Sequence, residues 1–133
     1  LKNKVMGNYS DEKVQLANKL NANFEGFTMN TELRNPKTLR YNERYIVGGF
    51  SEEEVLDFSP ANIRGQFIFN YIEKNWDKAK EDNLFFGIWY NKETKKIHLD
   101  LCRAFNNREK AGREARLKNE ICFWDNLEMV EIH

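Results

Sequence analysis

His98 and Asp100 are the pair in this sequence whose types and spacing best suit chemistry. Two positions apart on a strand, their side chains share one face, and Arg103 follows just beyond. Imidazole beside carboxylate could orient a proton transfer, or supply two ligands to a metal. A metal needs a third or fourth ligand, and His133 is the only other histidine in the chain. Neither a metal nor a cofactor is therefore expected. Cys102 stands four residues from His98, roughly 13 Å along a strand, too far for a Cys/His dyad. The pair could serve a small hydrolase or nuclease, or simply line the solvated face of a half-exposed antiparallel strand.

Other catalytic patterns fail. Serine occurs only at Ser10, Ser51 and Ser59, which limits nucleophile candidates, and there is no Gly-x-Ser-x-Gly, His-Glu-x-x-His or Cys-x-x-Cys. Gly48-Gly49 is followed by acids rather than by Lys-Ser/Thr, so it is no phosphate cradle. Cys102 and Cys122 are too few for a disulfide scaffold and lack the spacing of a metal knuckle, so they read as reduced core residues.

Three further groups suit binding. Phe85 and Trp89 should share a sheet face with His98 and Asp100, where aromatic platforms can anchor a protein partner or stack bases. These four residues form the expected protein-contact face, unless a helix covers it. Arg103, Arg108, Lys110, Arg113, Arg116 and Lys118 outnumber the two acids among them, as a phosphate-binding helix would require. Yet Glu109–Arg113, Lys110–Glu114 and Glu114–Lys118 are spaced four apart, the pattern of a helix laced with ion pairs. Glu52, Glu53, Glu54 and Asp57 could face a basic partner, or be solvated acids ahead of a helix N-terminus.

Composition sets the bounds. The 133 residues carry 21 Lys+Arg and 21 Asp+Glu, with 41% hydrophobic and 14% aromatic residues. The length suits one core, and zero net charge excludes a strongly polycationic protein. The zero is a sum of blocks, however: acidic at 52–57, basic at 103–118, acidic again from 120. No apolar run approaches the ~20 residues that span a bilayer, and a cytoplasmic domain is expected.

The elements that must position these residues follow from periodicity. Residues 1–9 carry none and should fray. A short helix is predicted from Asp11 to Asn21 with Ser10 as its cap. Strands are predicted at Gly26–Asn30 and Glu43–Val47, with a turn at Asn35-Pro36-Lys37 between them. Ser59-Pro60 should cap a helix running to Lys80, with Ile63, Phe67, Ile68, Tyr71, Ile72, Trp76 and Ala79 apolar. That stripe covers well over half the wheel, so the helix should be central. A hairpin follows: Leu84 to Tyr90, a turn at Asn91–Thr94, and Lys96 to Cys102, with Leu84, Phe86, Ile88, Ile97, Leu99 and Leu101 facing inward. A helix from Asn107 to Asn119 has a small-residue stripe of Ala111, Gly112 and Ala115. Strands are predicted at Ile121–Trp124 and Glu128–Ile132. The fold expected over residues 10–133 is a single α+β domain with a mainly antiparallel sheet, a long central helix and two shorter ones.

Gly26-Phe27-Thr28-Met29-Asn30, Tyr45-Ile46-Val47-Gly48-Gly49, Ile97-His98-Leu99-Asp100-Leu101 and Asn119-Glu120-Ile121-Cys122-Phe123-Trp124-Asp125, in that order, resemble small accessory proteins carried by phages and plasmids. The resemblance covers most of residues 26–132. It implies a compact intracellular protein acting on host or replication machinery, and it carries over no catalytic residue. The expected function is non-enzymatic binding of a protein partner, with nucleic-acid binding through the basic helix as the alternative.

Overall fold

The computed structural model describes residues 2–36 and 43–133, with side chains from residue 11 onward. Lys37, in the expected turn, lies outside the described residues. Ten elements follow in chain order: α1 (Lys2–Ala22), β1 (Gly26–Asn30), β2 (Tyr45–Val47), β3 (Glu54–Asp57), α2 (Ala61–Glu81), β4 (Phe85–Asn91), β5 (Lys96–Phe105), α3 (Arg108–Leu117), β6 (Phe123–Asp125) and β7 (Val130–Ile132). The fold is α+β, and every strand pairing is antiparallel.

The sheet runs β1-β4-β5-β2-β6-β7, with β3 also on β5. β4 and β5 form the expected hairpin, in a register that pairs Phe86 with Leu101, Ile88 with Leu99 and Trp89 with His98. Alternation sends Phe86, Ile88, Ile97, Leu99 and Leu101 to one face, where they meet Leu16 and Leu20 of α1 and Ile68, Tyr71 and Ile72 of α2. α2 contacts both α1 and the β4–β5 pair, which makes it the central helix. Ala111 and Ala115 let α3 sit low on β2, β5 and β6, and they join the same core. All three helices therefore cover one face of the sheet.

Four local expectations are corrected. α1 begins at Lys2 rather than near Asp11, so Ser10 lies inside it and residues 2–9 are helical rather than frayed. Pro60 occupies the cap position of α2, and the buried Ser59 hydroxyl makes no hydrogen bond there. Ile63, expected on the apolar stripe, is exposed, because the wheel is wider than the surface α1 and the sheet offer. Finally, Glu54–Asp57 is a strand rather than a solvated loop: β5 runs on past β2 and leaves an edge that β3 fills, pairing Val55 with His98.

Candidate binding face

β2 and β3 lie end to end along the same side of β5, interrupted by residues 48–53. At that interruption the chain leaves the ladder, and Asp100 fills the gap from the opposite strand. Its Oδ2 accepts from the Gly49 N–H at 2.6 Å, and its Oδ1 accepts from the Leu101 N–H at 2.8 Å. Gly49 holds φ at +83°, which favours glycine. A side chain on Gly48 would place its Cβ 2.6 Å from Asp100 Oδ2 and 3.1 Å from Glu120 Oε1. Two carboxylates thus converge above one glycine. Because both Asp100 oxygens are held by backbone, the carboxylate cannot swing aside. Gly48→Ala is expected to destabilise the fold by about 1–3 kcal/mol, read as a lower urea midpoint at unchanged slope.

Burial dominates the electrostatics here. It pushes Asp100 up to about 7, against the two backbone hydrogen bonds and with help from the nearby Glu120 and Glu53 charges. Glu120 is raised by its own burial and then by Glu53. Burial also raises the Cys102 thiol and the Tyr71 hydroxyl, the latter against its 2.7 Å hydrogen bond with Ser51. Tyr71 and Ser51 brace the 48–53 segment against α2, so this serine is structural.

The four residues of the expected contact face do lie on one side of the sheet, the side without helices. They differ in access. The Trp89 ring is 43% exposed and lies flat on His98, with centroids 4.0 Å apart and 9° between planes. His98 Nδ1 is 3.3 Å from Glu53 Oε2, but without hydrogen-bond geometry. Val55, paired to His98 across β3, is 41% exposed, so the exposed patch centres on Val55 and Trp89. Asp100 is buried within the strand interruption rather than presented. Phe85 is buried too: it packs with Ile46 and Cys102, with Trp124 alongside, and the Arg34 guanidinium sits 5.4 Å over its ring. Arg34 in turn pairs with the buried Glu43 at 2.5 Å.

The basic residues divide. Arg103 and Lys118 lie over the Phe50 ring at 5.0 and 4.4 Å, Arg103 also donates to the Asp82 carbonyl, and Lys110 lies 6.0 Å over Phe105. Arg108, Arg113 and Arg116 are exposed on α3. None of the three pairs spaced four apart closes into an ion pair among the described residues. Of the acids, Glu54 pairs with Lys74 and Asp57 with Lys96, Glu52 lies toward Tyr71 and Lys74 of α2, and Glu53 stands beside His98 at the Trp89 patch.

One constellation escaped the sequence reading. Cys122, Glu131 and His133 come together at the open end of the β6–β7 hairpin, with one ligand atom from each within 4.8 Å of the others. Cys122 stands outside β6 and His133 outside β7, so only the hairpin register reveals their meeting. Exposed Leu117, Ile121 and Met129 occur in the same C-terminal part of the chain.

No helix among the described residues is long and apolar enough to cross a membrane. Comparison with known proteins returns no matching family model, no matching curated protein and no matching solved structure.

Proposed function

We propose that this protein works by binding rather than by catalysis, and that it docks a protein partner on the helix-free face around Trp89. The observation that carries this reading is a large aromatic ring, stacked on His98 and held rigid on a strand, yet nearly half exposed beside an exposed valine. A pre-oriented tryptophan loses little conformational freedom on association, and tryptophan is enriched among residues that dominate interface energetics. The exposed Glu53 stands beside His98 at the patch, so the complementary partner segment presents an apolar side chain beside a lysine or arginine. Asp100 supports the face rather than reacting, because both of its oxygens are committed to backbone N–H groups. The likeness of four segments to phage and plasmid accessory proteins favours a partner in host or replication machinery.

The test is capture from cell lysate, with and without nuclease, comparing the native chain with Trp89→Ala. Nuclease-resistant capture weakened roughly thirtyfold by the substitution is expected, in line with the ~2 kcal/mol of a central interface tryptophan. Capture that survives Trp89→Ala unchanged sinks the proposal.

A second reading has an observation of its own: Arg108, Arg113 and Arg116 are exposed on α3 without ion-pair partners among the described residues. Nucleic-acid binding there would weaken steeply with added salt and ignore Trp89. Absence of any shift with DNA or RNA at low salt removes it.

A further inference from the structure

The β6–β7 hairpin carries a feature that docking on the Trp89 face does not use. β6 and β7 pair Phe123 with Ile132 and Trp124 with Glu131. Extending that register by one step sets Cys122 opposite His133, with Glu131 diagonal to Cys122 on the same side, since side chains two apart on a strand share a face. Cys122 Sγ is 3.5 Å from one oxygen of Glu131, and His133 Nε2 is 3.7 Å from the other. Ligand atoms held by one tetrahedral Zn²⁺ at ~2.0–2.3 Å stand roughly 3.3–3.8 Å apart. The two distances to Glu131 match that spacing, and one ligand atom from each of the three lies within 4.8 Å of the others.

The hairpin that positions them is anchored at its far end. Asp125 Oδ1 accepts from the Leu127 and Glu128 N–H groups at 3.0 and 3.2 Å, and Arg44 grips the same carboxylate through two nitrogens. Cys122 is half-buried while Glu131 and His133 are exposed, which leaves the triad open to an incoming ion and to a solvent ligand.

We propose that Cys122, Glu131 and His133 form a binding site for a thiophilic first-row divalent cation of the Zn²⁺ class, with the fourth position taken by water. Thiolate and imidazole select such ions over Mg²⁺ or Ca²⁺, and a single carboxylate completes a three-ligand set. On binding, the Cys122 thiol releases its proton to solvent, and no oxidant or reductant is involved. The ion would tie β7, a three-residue edge strand, to its neighbour.

The test is titration of the full chain, without a histidine tag, with Co²⁺ as the spectroscopic probe and Zn²⁺ as competitor. Expected are one equivalent bound, a near-ultraviolet thiolate-to-cobalt band with intense tetrahedral d–d bands, and their displacement by Zn²⁺. Cys122→Ser should abolish the thiolate band, and Glu131→Gln should weaken binding by about a hundredfold or more, with far-ultraviolet circular dichroism unchanged in both. Cys102→Ala should retain the band. A band that persists in Cys122→Ser, or no stoichiometric binding at micromolar metal, overturns the proposal. The Trp89→Ala variant should bind Co²⁺ like the native chain, which separates this site from the docking face.

Discussion

Between about pH 4 and pH 7 the native chain is expected to lose stability as pH rises, and replacing Asp100 with asparagine is expected to flatten that fall. In the folded state burial raises this carboxyl from an ordinary 3.8 to about 7. Within that window the folded chain holds a proton that the unfolded chain has released, so stability declines as pH rises. Each unit of difference corresponds to about 1.4 kcal/mol, and the whole window to at most about 4 kcal/mol. The penalty is absent below the unfolded value and complete above the folded one. Glu120, also raised, adds slope of the same sign that Asp100→Asn leaves in place. Asp125 acts the other way and elsewhere: its hydrogen bonds with Arg44 hold it down at about 2, so its contribution is present above 3.8 and lost only in stronger acid. Urea unfolding at half-unit pH intervals reads the difference. Parallel profiles for the native and variant chains would show that the buried carboxyl is not the source.

The second large effect concerns Arg64, which is buried on α2 although it is a cation. Its Nε donates to the Asn21 side chain, Nη2 to the Asn21 carbonyl at 3.5 Å, and Nη1 to the Ser59 carbonyl at 3.0 Å. The guanidinium also lies 4.3 Å over Phe24 and 5.9 Å over Phe58. One side chain thus joins the end of α1, the approach to α2 and an aromatic cluster completed by Tyr90. Hydrogen bonds from a charged donor are worth about 1.5–3 kcal/mol each and do not add fully, so Arg64→Ala should cost about 3 kcal/mol. Arg64→Lys should recover little of it, because a point ammonium cannot reproduce a planar fork that donates in three directions. A loss below about 1 kcal/mol in urea unfolding would mean that α1 is held by its apolar stripe alone.

Arg64 also marks where sequence patterning stops being informative. A helical wheel assigns an arginine to solvent, and only the arrival of Asn21 and Ser59 carbonyls from elsewhere gives its donors partners. By contrast, the β4–β5 hairpin and the faces of its strands were legible, because residues alternate strictly in Lys96–Cys102, though β5 runs three residues further, to Phe105. The same alternation put Phe85, Trp89, His98 and Asp100 on one face. It could not say which of them are accessible: Phe85 is hidden by Arg34, and Asp100 by a break in a strand that pairs from 51 positions away. β3 was missed because three successive glutamates precede Val55 and Leu56, and its reason for being a strand is the free edge of β5. The Ala111, Gly112, Ala115 stripe was read correctly because close packing needs small side chains whatever the partner. Cys122, Glu131 and His133 are ordinary residues until a hairpin register brings them together.

The way β5 is shared has a mechanical consequence. Along its first half it is flanked by β4 and β3, while its last three residues alone carry β2, and through β2 the whole of β6 and β7. The three pairs from Tyr45–Val47 to Phe105–Arg103 are therefore a seam, where a short run of ladder bonds is reinforced by the low-lying α3 and by Phe85 packing on Ile46 and Trp124. Local opening follows the path with the fewest ladder bonds and least buried contact. The molecule should yield first along this seam, with the C-terminal half-sheet parting as a unit from a β1-β4-β5-β3 plate that stays closed.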